Sequence, residues 1–217
     1  MLIDFTNTEA IIFKKRYLVI SDLHIGIEKE YLQKGINIPS QTQSIYNRIK
    51  QLKERYGVDK LIVTGDFKHN VPKVSYIELK DVPMLLQKLS KVFKKIIITK
   101  GNHDGYLEKL NNNPNVMIVK EFRVGKVVFL HGHAHPKLKG KLYILGHHHF
   151  ALNIRSSIGE SFYEKVFIYG EAEEYDILIL PAFSNLVGFW EVGKFHGPLA
   201  KSIKSYNVLA LDGTVLF

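Results

Sequence analysis

Residues 16–24 read RYLVISDLH, a short apolar run followed at once by two polar residues, Asp22 and His24. The apolar part is rich in β-branched residues and ends at a polar turn, which is typical of a strand buried on both faces. Five later segments have the same character. They are KLIVTG (60–65), KIIITKG (95–101), KVVFLHG (126–132), KLYILG (141–146) and YDILILP (175–181).

Two segments between the first three runs have helical spacing. In residues 40–57, three apolar residues recur at four- and three-residue steps, with Ser40 as a candidate N-cap and Gly57 as a candidate end. In residues 75–93, Pro83 is expected to break or kink the helix, or to begin its second half. Strand, helix, strand, helix, strand is the order of parallel βαβ units.

After residue 115 the strands follow one another closely, as in NVMIVKEFRVGKVVFLHG, ALNIRSS (151–157) and KVFIYGE. Such spacing favours hairpins or a second sheet. The predicted fold class is therefore α/β, a four-layer αββα sandwich of two mixed β-sheets flanked by helices. Because no linker or repeat interrupts residues 1–217, we expect a single domain.

The composition limits the chemistry and the location. The 217 residues include no cysteine, which excludes disulfides and leaves only nitrogen and oxygen ligands for a metal. The formal net charge of +9 comes from scattered lysines, so charge alone does not separate a polyanion-binding surface from a solvated one. No run approaches the length of a membrane span and the N-terminus lacks signal-peptide order, so we expect a cytoplasmic protein that has no contact with membranes.

Polar residues of the metal-binding types follow five of the predicted strands. They are Asp22 and His24, then Asp66, Asn102, His131, and finally His147 with His149. Ligands of α/β sheets bind beyond the carboxyl ends of the strands, where such loops converge. Each motif alone is more typical of a surface turn or a helix cap. Together, seven nitrogen and oxygen donors suit two ions that share a carboxylate.

Under this interpretation, the three histidines of the run GHHHF (146–150) have different roles. On an extended segment, His147 and His149 point to the same side and His148 points away. We therefore expect His148 to be dispensable for metal binding. Glycines at 65, 101 and 146 would let the backbone turn sharply beside the cluster.

With these motifs the sequence resembles the calcineurin-like metallophosphoesterase superfamily, and most of all its small archaeal SbcD-related phosphoesterases. The family pattern is D-x-H, G-D, G-N-H-D/E, a His after a strand, and G-H-x-H. Here it is matched by Asp22 and His24, GDFKH (65–69), GNHD (101–104), His131, and GHHH (146–149). Many members have Asp at the position of His69, so the roles of His69 and Lys68 stay open.

The resemblance implies a ligand set and a mechanism. Asp22, His24 and His149 would hold one divalent ion, while Asn102, His131 and His147 would hold the other. Asp66 would bridge them. Manganese is favoured, and iron, zinc, nickel and cobalt also suit such ligands. A bridging hydroxide would attack phosphorus, with His103 assisting the transition state and leaving group and Asp104 orienting the ring of His103.

The resemblance favours a phosphodiesterase whose substrate is a phosphodiester such as a nucleotide or nucleic acid, with no obligate protein partner. A phosphomonoesterase or nucleotide phosphatase is the alternative, and a non-catalytic scaffold with the same fold is the alternative of another class. The segment after His149 is too short for a large cap domain. His133 and His135 are expected outside the ligand set, and the aromatics of residues 181–197 suit a core, a lid or a base-stacking platform.

Overall fold

All six apolar runs form strands in the computed structural model of the chain, which describes residues 2–155 and 159–217. The helices are α1 (Glu28–Gln33), α2 (Thr42–Tyr56) and α3 (Tyr76–Val92), with 3-10 turns at Leu107–Leu110 and Ala200–Ser202. The strands are β1 (Ile3–Phe5), β2 (Ile11–Phe13), β3 (Tyr17–Ile20), β4 (Lys60–Val63), β5 (Lys95–Thr99), β6 (Val116–Val119), β7 (Glu121–Val124), β8 (Val127–Leu130), β9 (Leu142–Leu145), β10 (Phe150–Arg155), β11 (Ser161–Lys165), β12 (Phe167–Glu171), β13 (Asp176–Ile179), β14 (Trp190–Glu191) and β15 (Ser205–Leu209).

The first sheet has six strands in the order β1-β2-β3-β4-β5-β6. The strands β3 to β6 run parallel, and the N-terminal hairpin of β1 and β2 joins them antiparallel. Successive residues of a strand alternate between the two faces of its sheet. Because consecutive residues of β3, β4 and β5 are buried, both faces of the sheet are covered at these strands. In β3, Leu18 and Ile20 contact the helical layer, whereas Val19 faces the second sheet.

Helix α2 buries the three apolar residues that the sequence placed at helical spacing, Ile45, Ile49 and Leu52. It ends at Gly57, which has the expected left-handed conformation at φ 62°. The expected cap is displaced by one residue, since the N-cap is Gln41. The hydroxyl of Ser40 instead donates to Asp81 Oδ2 at 2.6 Å, which ties the start of α2 to α3.

Helix α3 begins with a capping box. The Ser75 hydroxyl accepts from the Glu78 N–H, and the Glu78 carboxylate accepts from the Ser75 N–H at 2.6 Å. Pro83 does not break the helix, which is continuous from Tyr76 to Val92, and the alternative expectation of a kink stays a prediction. Pro83 has no N–H, so the carbonyl of Leu79 lacks its usual helical partner. Leu79 is 58% exposed, so water can donate to this carbonyl instead.

The second sheet has the order β15-β12-β13-β9-β8-β7 and is also mixed, with β8, β9 and β13 parallel. An apolar core fills the space between the two sheets, including Phe13, Ile62, Ile97, Phe129 and Ile144. The expected sandwich of two mixed sheets is therefore confirmed.

The outer layer of the second sheet differs from the helical layer that the sequence predicted. In residues 2–155 and 159–217, the α-helices all lie between residues 28 and 92. The outer face of the second sheet is covered instead by the 3-10 turn at Ala200–Ser202 and its flanking coil, with Leu199 and Phe195 among the contacts. The small sheet β11-β10-β14 adds to this end of the molecule. Residues 156 and 157 of the predicted strand ALNIRSS lie outside the described residues.

The two sheets present their loops at one edge of the sandwich. The Asp22 N–H donates to the Gly65 carbonyl at 3.2 Å, which joins the loops after β3 and β4. The Gly146 N–H donates to the His131 carbonyl at 3.1 Å, which joins the loops after β9 and β8. Among the described residues, no helix has both the length and the apolar character needed to cross a membrane.

Candidate metal centre

Five loops bring the predicted ligands into one cluster. The loops follow β3, β4, β5, β8 and β9. Two groups of three predicted ligands have ligand atoms within 4.8 Å of one another: Asp22, His24 and His149, and Asp66, His131 and His147. A third group with the same spacing, His24, His69 and His103, adds two histidines from outside the predicted ligand set. The Asn102 Oδ1 lies 3.1 Å from His131 Nε2, so the seventh predicted residue borders the second group.

Asp66 belongs to the second group and also faces the first. Its Oδ2 is 3.2 Å from His131 Nε2 and 3.7 Å from His24 Nε2. One carboxylate oxygen therefore faces a histidine of each group. This is the arrangement that a carboxylate shared by two ions requires.

The donor atoms fit divalent cations. Asp22 Oδ1 is buried and accepts no hydrogen bond from the described residues, although His131 Nδ1 and His149 Nε2 both lie 3.6 Å away. Imidazole nitrogens also face one another, with His24 Nε2 3.4 Å from His149 Nε2 and His147 Nδ1 3.1 Å from His131 Nε2. Unpartnered oxygen and facing imidazole nitrogens together form an N/O donor set for a first-row divalent ion.

The pKa shifts at the site keep Asp66 and His131 charged and His24 neutral. Burial alone would raise the pKa of Asp66, but the charges of His131 and His24 outweigh it and hold that pKa far below its usual range. Burial would lower the pKa of His131, yet Asp66 and Asp22 raise it to about 9. Burial lowers the pKa of His24 to about 3, so this ring is a neutral donor.

Left-handed backbone shapes the ligand loops. Five of the seven predicted ligands have positive φ: Asp22 (51°), His24 (47°), Asp66 (41°), His147 (75°) and His149 (46°). Non-glycine residues pay for this conformation with roughly 1–3 kcal/mol each. Asp22 and His24 do converge within one group, but two left-handed residues bring them together and the extended pleat that the sequence predicted does not. The same-side placement of His147 and His149 stays a prediction.

Three glycines leave the space that the ligands occupy. Gly65 has φ +95°, so it does turn the backbone sharply as expected. Gly101 and Gly146 are needed for a different reason, namely close approach. A Cβ at Gly101 would lie 2.0 Å from Asp66 Oδ1, and one at Gly146 would lie 1.8 Å from Ser21 Oγ.

His103 lies against the same cluster. Its main-chain N–H donates to Asp66 Oδ1 at 2.9 Å, and its ring Nδ1 contacts the carbonyl oxygen of His69. The ring also stacks on that of His69, with centroids 5.3 Å apart. If Nδ1 carries the proton that the carbonyl accepts, Nε2 is the nitrogen left for a substrate.

The role expected for Asp104 needs correction. Its Oδ1 accepts from the Lys68 N–H at 3.1 Å and its Oδ2 accepts from the Gly101 N–H at 2.9 Å. The carboxyl group thus joins two loops, and the His69 carbonyl rather than Asp104 orients the ring of His103. Burial, together with the charge of Asp66, raises the pKa of Asp104 to about 6.

The two residues left open by the sequence have distinct contacts. His69 Nδ1 lies 3.0 Å from His24 Nδ1, and His69 Nε2 lies 2.9 Å from Glu30 Oε2, so His69 connects a ligand ring to a carboxylate. Glu30 carried no sequence signal, because α1 brings it to the site from outside the motifs. Lys68 is fully buried and lies 3.7 Å from Glu78, which indicates that it supports the loop.

The other histidines lie outside the two ligand groups. His148 is 1% exposed, its Nε2 lies 2.8 Å from the His196 carbonyl oxygen and 3.1 Å from the His196 main-chain nitrogen, and its ring stacks on Phe150. It therefore attaches the C-terminal segment to the site loop. His133 and His135 are exposed beside the cluster, as the sequence predicted.

A partly buried ion cluster around the buried Glu9 supports the loop beneath Asp22. Glu9 pairs with Arg48 at 2.6 Å and with Lys165 at 2.8 Å. Lys165 also donates to the Ser184 carbonyl at 2.9 Å, and the Ser184 N–H donates to the Asp22 carbonyl at 3.2 Å. These charges lie far from the ligand motifs in sequence, yet they fix the backbone of a ligand.

Two cavities open from the cluster. A groove of roughly 400 Å³ borders His24, His103 and His149, and its walls include Phe189 and Trp190. Those two aromatic residues are 39% and 46% exposed, so this part of residues 181–197 is neither core nor a closed lid. The second cavity, of about 270 Å³, borders His131 and is lined by Lys100, Lys120 and Lys137, which the sequence did not single out.

A solved structure with the same fold is known, and a second one is less similar. The chain is similar to the nuclease MPE of Pseudomonas putida, with 21% identity and a TM-score of 0.65 over 96% of this chain and 91% of that one. It also matches Yfce, a phosphoesterase from E. coli, with 17% identity and a TM-score of 0.48 over 93% and 96% of the two chains. None of the curated proteins matches significantly. The sequence model of the calcineurin-like phosphoesterases matches residues 15–180, which contain all five ligand loops, and the chain therefore belongs to this family.

Proposed function

We propose that this phosphoesterase hydrolyses phosphodiester bonds with two divalent ions held by the five loops. The observation that carries the proposal is the position of Asp66, whose Oδ2 lies within 3.7 Å of a histidine from each ligand group. One ion would be held by Asp22, His24 and His149, and the other by Asn102, His131 and His147, with Asp66 common to both.

The chain's own residues have separate tasks in this reaction. When bound, two such ions provide hydroxide near neutral pH and neutralise the charge of the phosphate. With its ring protonated on both nitrogens, His103 would hold its Nδ1–H on the His69 carbonyl and give its Nε2 proton to the leaving oxygen, which leaves a neutral ring. His69 and Glu30 would fix the orientation of the His24 ring.

The two cavities favour a diester over a monoester. A phosphodiester carries a substituent on each of two ester oxygens, and each ligand group of the centre borders its own cavity. A monoester would occupy only one of them. The chain shares its fold with a nuclease of Pseudomonas putida. Nucleases cleave phosphodiester bonds, which agrees with this preference.

Finer points of the proposal rest on the sequence. Manganese is the ion favoured, although N/O ligation also suits iron, zinc, nickel and cobalt. Residues 1–217 would form a single catalytic domain. Kinship with the SbcD-related phosphoesterases stays a prediction.

The test compares two aryl esters. Protein stripped with chelator and reloaded with Mn²⁺ is assayed on bis-p-nitrophenyl phosphate and p-nitrophenyl phosphate. We expect the diester to give the higher kcat/KM, Asp66→Asn to lose bound metal, and His103→Gln to keep metal while kcat falls by roughly 10²–10⁴-fold. Preference for the monoester would favour the phosphatase alternative. No turnover of either ester by fully loaded protein would favour a scaffold.

A further inference from the structure

The cavity beside His131 offers positive charge, and the uncharged substituent of a simple diester would fill its space without using that charge. We call it the lysine cavity, lined by Lys100, Gly101, Lys120, His131, His133 and Lys137. We propose that it is a subsite for a second phosphate group, the neighbour of the scissile one in a single-stranded oligonucleotide. The inference rests on the proposed function, because it places the scissile phosphate at the metal centre.

The lysine cavity carries positive charge that can bind an anion. Lys120 and Lys137 are exposed, and neither ammonium group has an ion-pair partner among residues 2–155 and 159–217. Lys100 pairs with Glu108 at 2.5 Å but still lines the cavity. Unpaired lysines around a concave surface attract phosphate, and each contact with a nucleic-acid phosphate releases a counterion.

The cavity wall has one acidic residue, Glu121, against three lysines, and main-chain N–H groups occupy both of its oxygens. Glu121 accepts from the Lys137 N–H and the Leu138 N–H, both at 2.7 Å. Its carboxylate oxygens are therefore used to hold the loop that carries Lys137 against β7. Glu121 is better described as a positioning residue for that lysine than as a competitor for a cation.

The location of the cavity defines which phosphate it would bind. His131 is both a wall of the cavity and a member of a ligand group. An anion bound among the lysines would thus lie next to the metal centre without occupying it. Only a substrate with a further phosphate beside the scissile one can use both positions.

The groove on the other side favours an unpaired strand. Its exposed residues Phe189 and Trp190 lie beside His149, and aromatic faces of this kind stack with unpaired bases. A basic track combined with exposed aromatics is the combination found in sites for single-stranded nucleic acid. An acidic peptide would leave the aromatic wall without a partner.

The test compares two matched double variants of the Mn²⁺-loaded protein. Lys120→Gln/Lys137→Gln changes the cavity, whereas Lys50→Gln/Lys91→Gln removes the same charge from exposed positions on α2 and α3. Each is assayed on a short oligothymidylate and on thymidine 5′-p-nitrophenyl phosphate, which has one phosphate only. Fluorescence anisotropy of a labelled oligothymidylate measures binding independently of turnover.

We expect the cavity variant to lose about tenfold or more in kcat/KM and in affinity for the oligonucleotide at low salt, with the nucleotide ester unchanged. The slope of log K against log salt should fall by about 0.7 for each phosphate contact removed. Equal losses on both substrates, equal losses in both variants, or unchanged oligonucleotide affinity would overturn the subsite. If the unaltered protein hydrolyses neither substrate, the proposed function fails, and the binding measurement still decides whether the lysine cavity holds phosphate.

Discussion

A methyl group added at Gly101 should disable the metal centre while the fold persists. The Cβ of Gly101→Ala would lie 2.0 Å from Asp66 Oδ1 and 2.6 Å from the main-chain nitrogen of Asp66, whereas real Cβ atoms keep at least 3.0 Å. The carboxylate oxygen must therefore move by about 1 Å, and the backbone nitrogen leaves little freedom for relief. Asp66 is the residue proposed to hold both ions, and its Oδ2 faces a histidine of each group.

The size of this displacement sets the expected loss. Ligand distances in metal sites tolerate only about 0.2 Å, so a shift of about 1 Å exceeds that tolerance severalfold. Misplacement of about 1 Å in an active site lowers turnover roughly 10²-fold, and overpacking of this kind costs about 1–3 kcal/mol of stability. We expect metal affinity to fall at least 10-fold.

Calorimetric titration with Mn²⁺ and turnover of bis-p-nitrophenyl phosphate measure the effect, and urea unfolding in chelator reports the stability. Gly105→Ala is the matched control in the same loop, since its Cβ would meet nothing closer than the Pro72 carbonyl oxygen at 3.9 Å. Metal affinity and turnover of Gly101→Ala equal to those of Gly105→Ala would refute the reasoning.

Two further substitutions separate the support of the site from its chemistry. His148→Ala should keep both metals but lower the free energy of unfolding by about 1–3 kcal/mol, because it leaves the main chain of His196 unpaired; metal analysis and urea unfolding check this, and a lost ion would contradict it. Burial would raise the pKa of Glu9, but Lys165 and Arg48 hold it below its usual value, so Glu9 adds stability above the unfolded pKa of about 4.3 that is lost as the pH falls through the lower folded value. Glu9→Gln should be less stable than the unaltered protein near pH 7, and urea midpoints from pH 7 to pH 3 should converge for the two proteins; midpoints that stay equally far apart would refute the charge-based role.

The sequence predicted most of the features that depend on local residue patterns, namely the buried strands and the polar residues at their ends. Runs such as RYLVIS and KLIVTG are too short and too β-branched for anything but buried strands, and polar residues directly after them must lie at one edge of a parallel sheet. That is why all seven predicted ligands were found in one cluster. Pro83 was misjudged because its helix tolerates the lost bond at an exposed turn, a tertiary circumstance that propensity does not contain.

The remaining features depend on contacts between distant segments. Asp104 lies one residue from His103, yet its oxygens bond the backbone of Lys68 and Gly101, and the ring is held from the loop after β4. Glu30 reaches the site from α1, outside every motif. The lysine cavity combines residues from the ends of three strands and a loop, so no single stretch of sequence indicates it.

The left-handed backbone at the ligands has a consequence for directed evolution. At these positions glycine or asparagine relieves the local strain, so a library selected only for heat resistance in the presence of chelator should accumulate them at residues such as His24 and His147. The selected variants would be more stable but would retain fewer of the histidines predicted to bind metal. Selections for stable variants of this protein should therefore be run with metal present and with turnover as a second criterion.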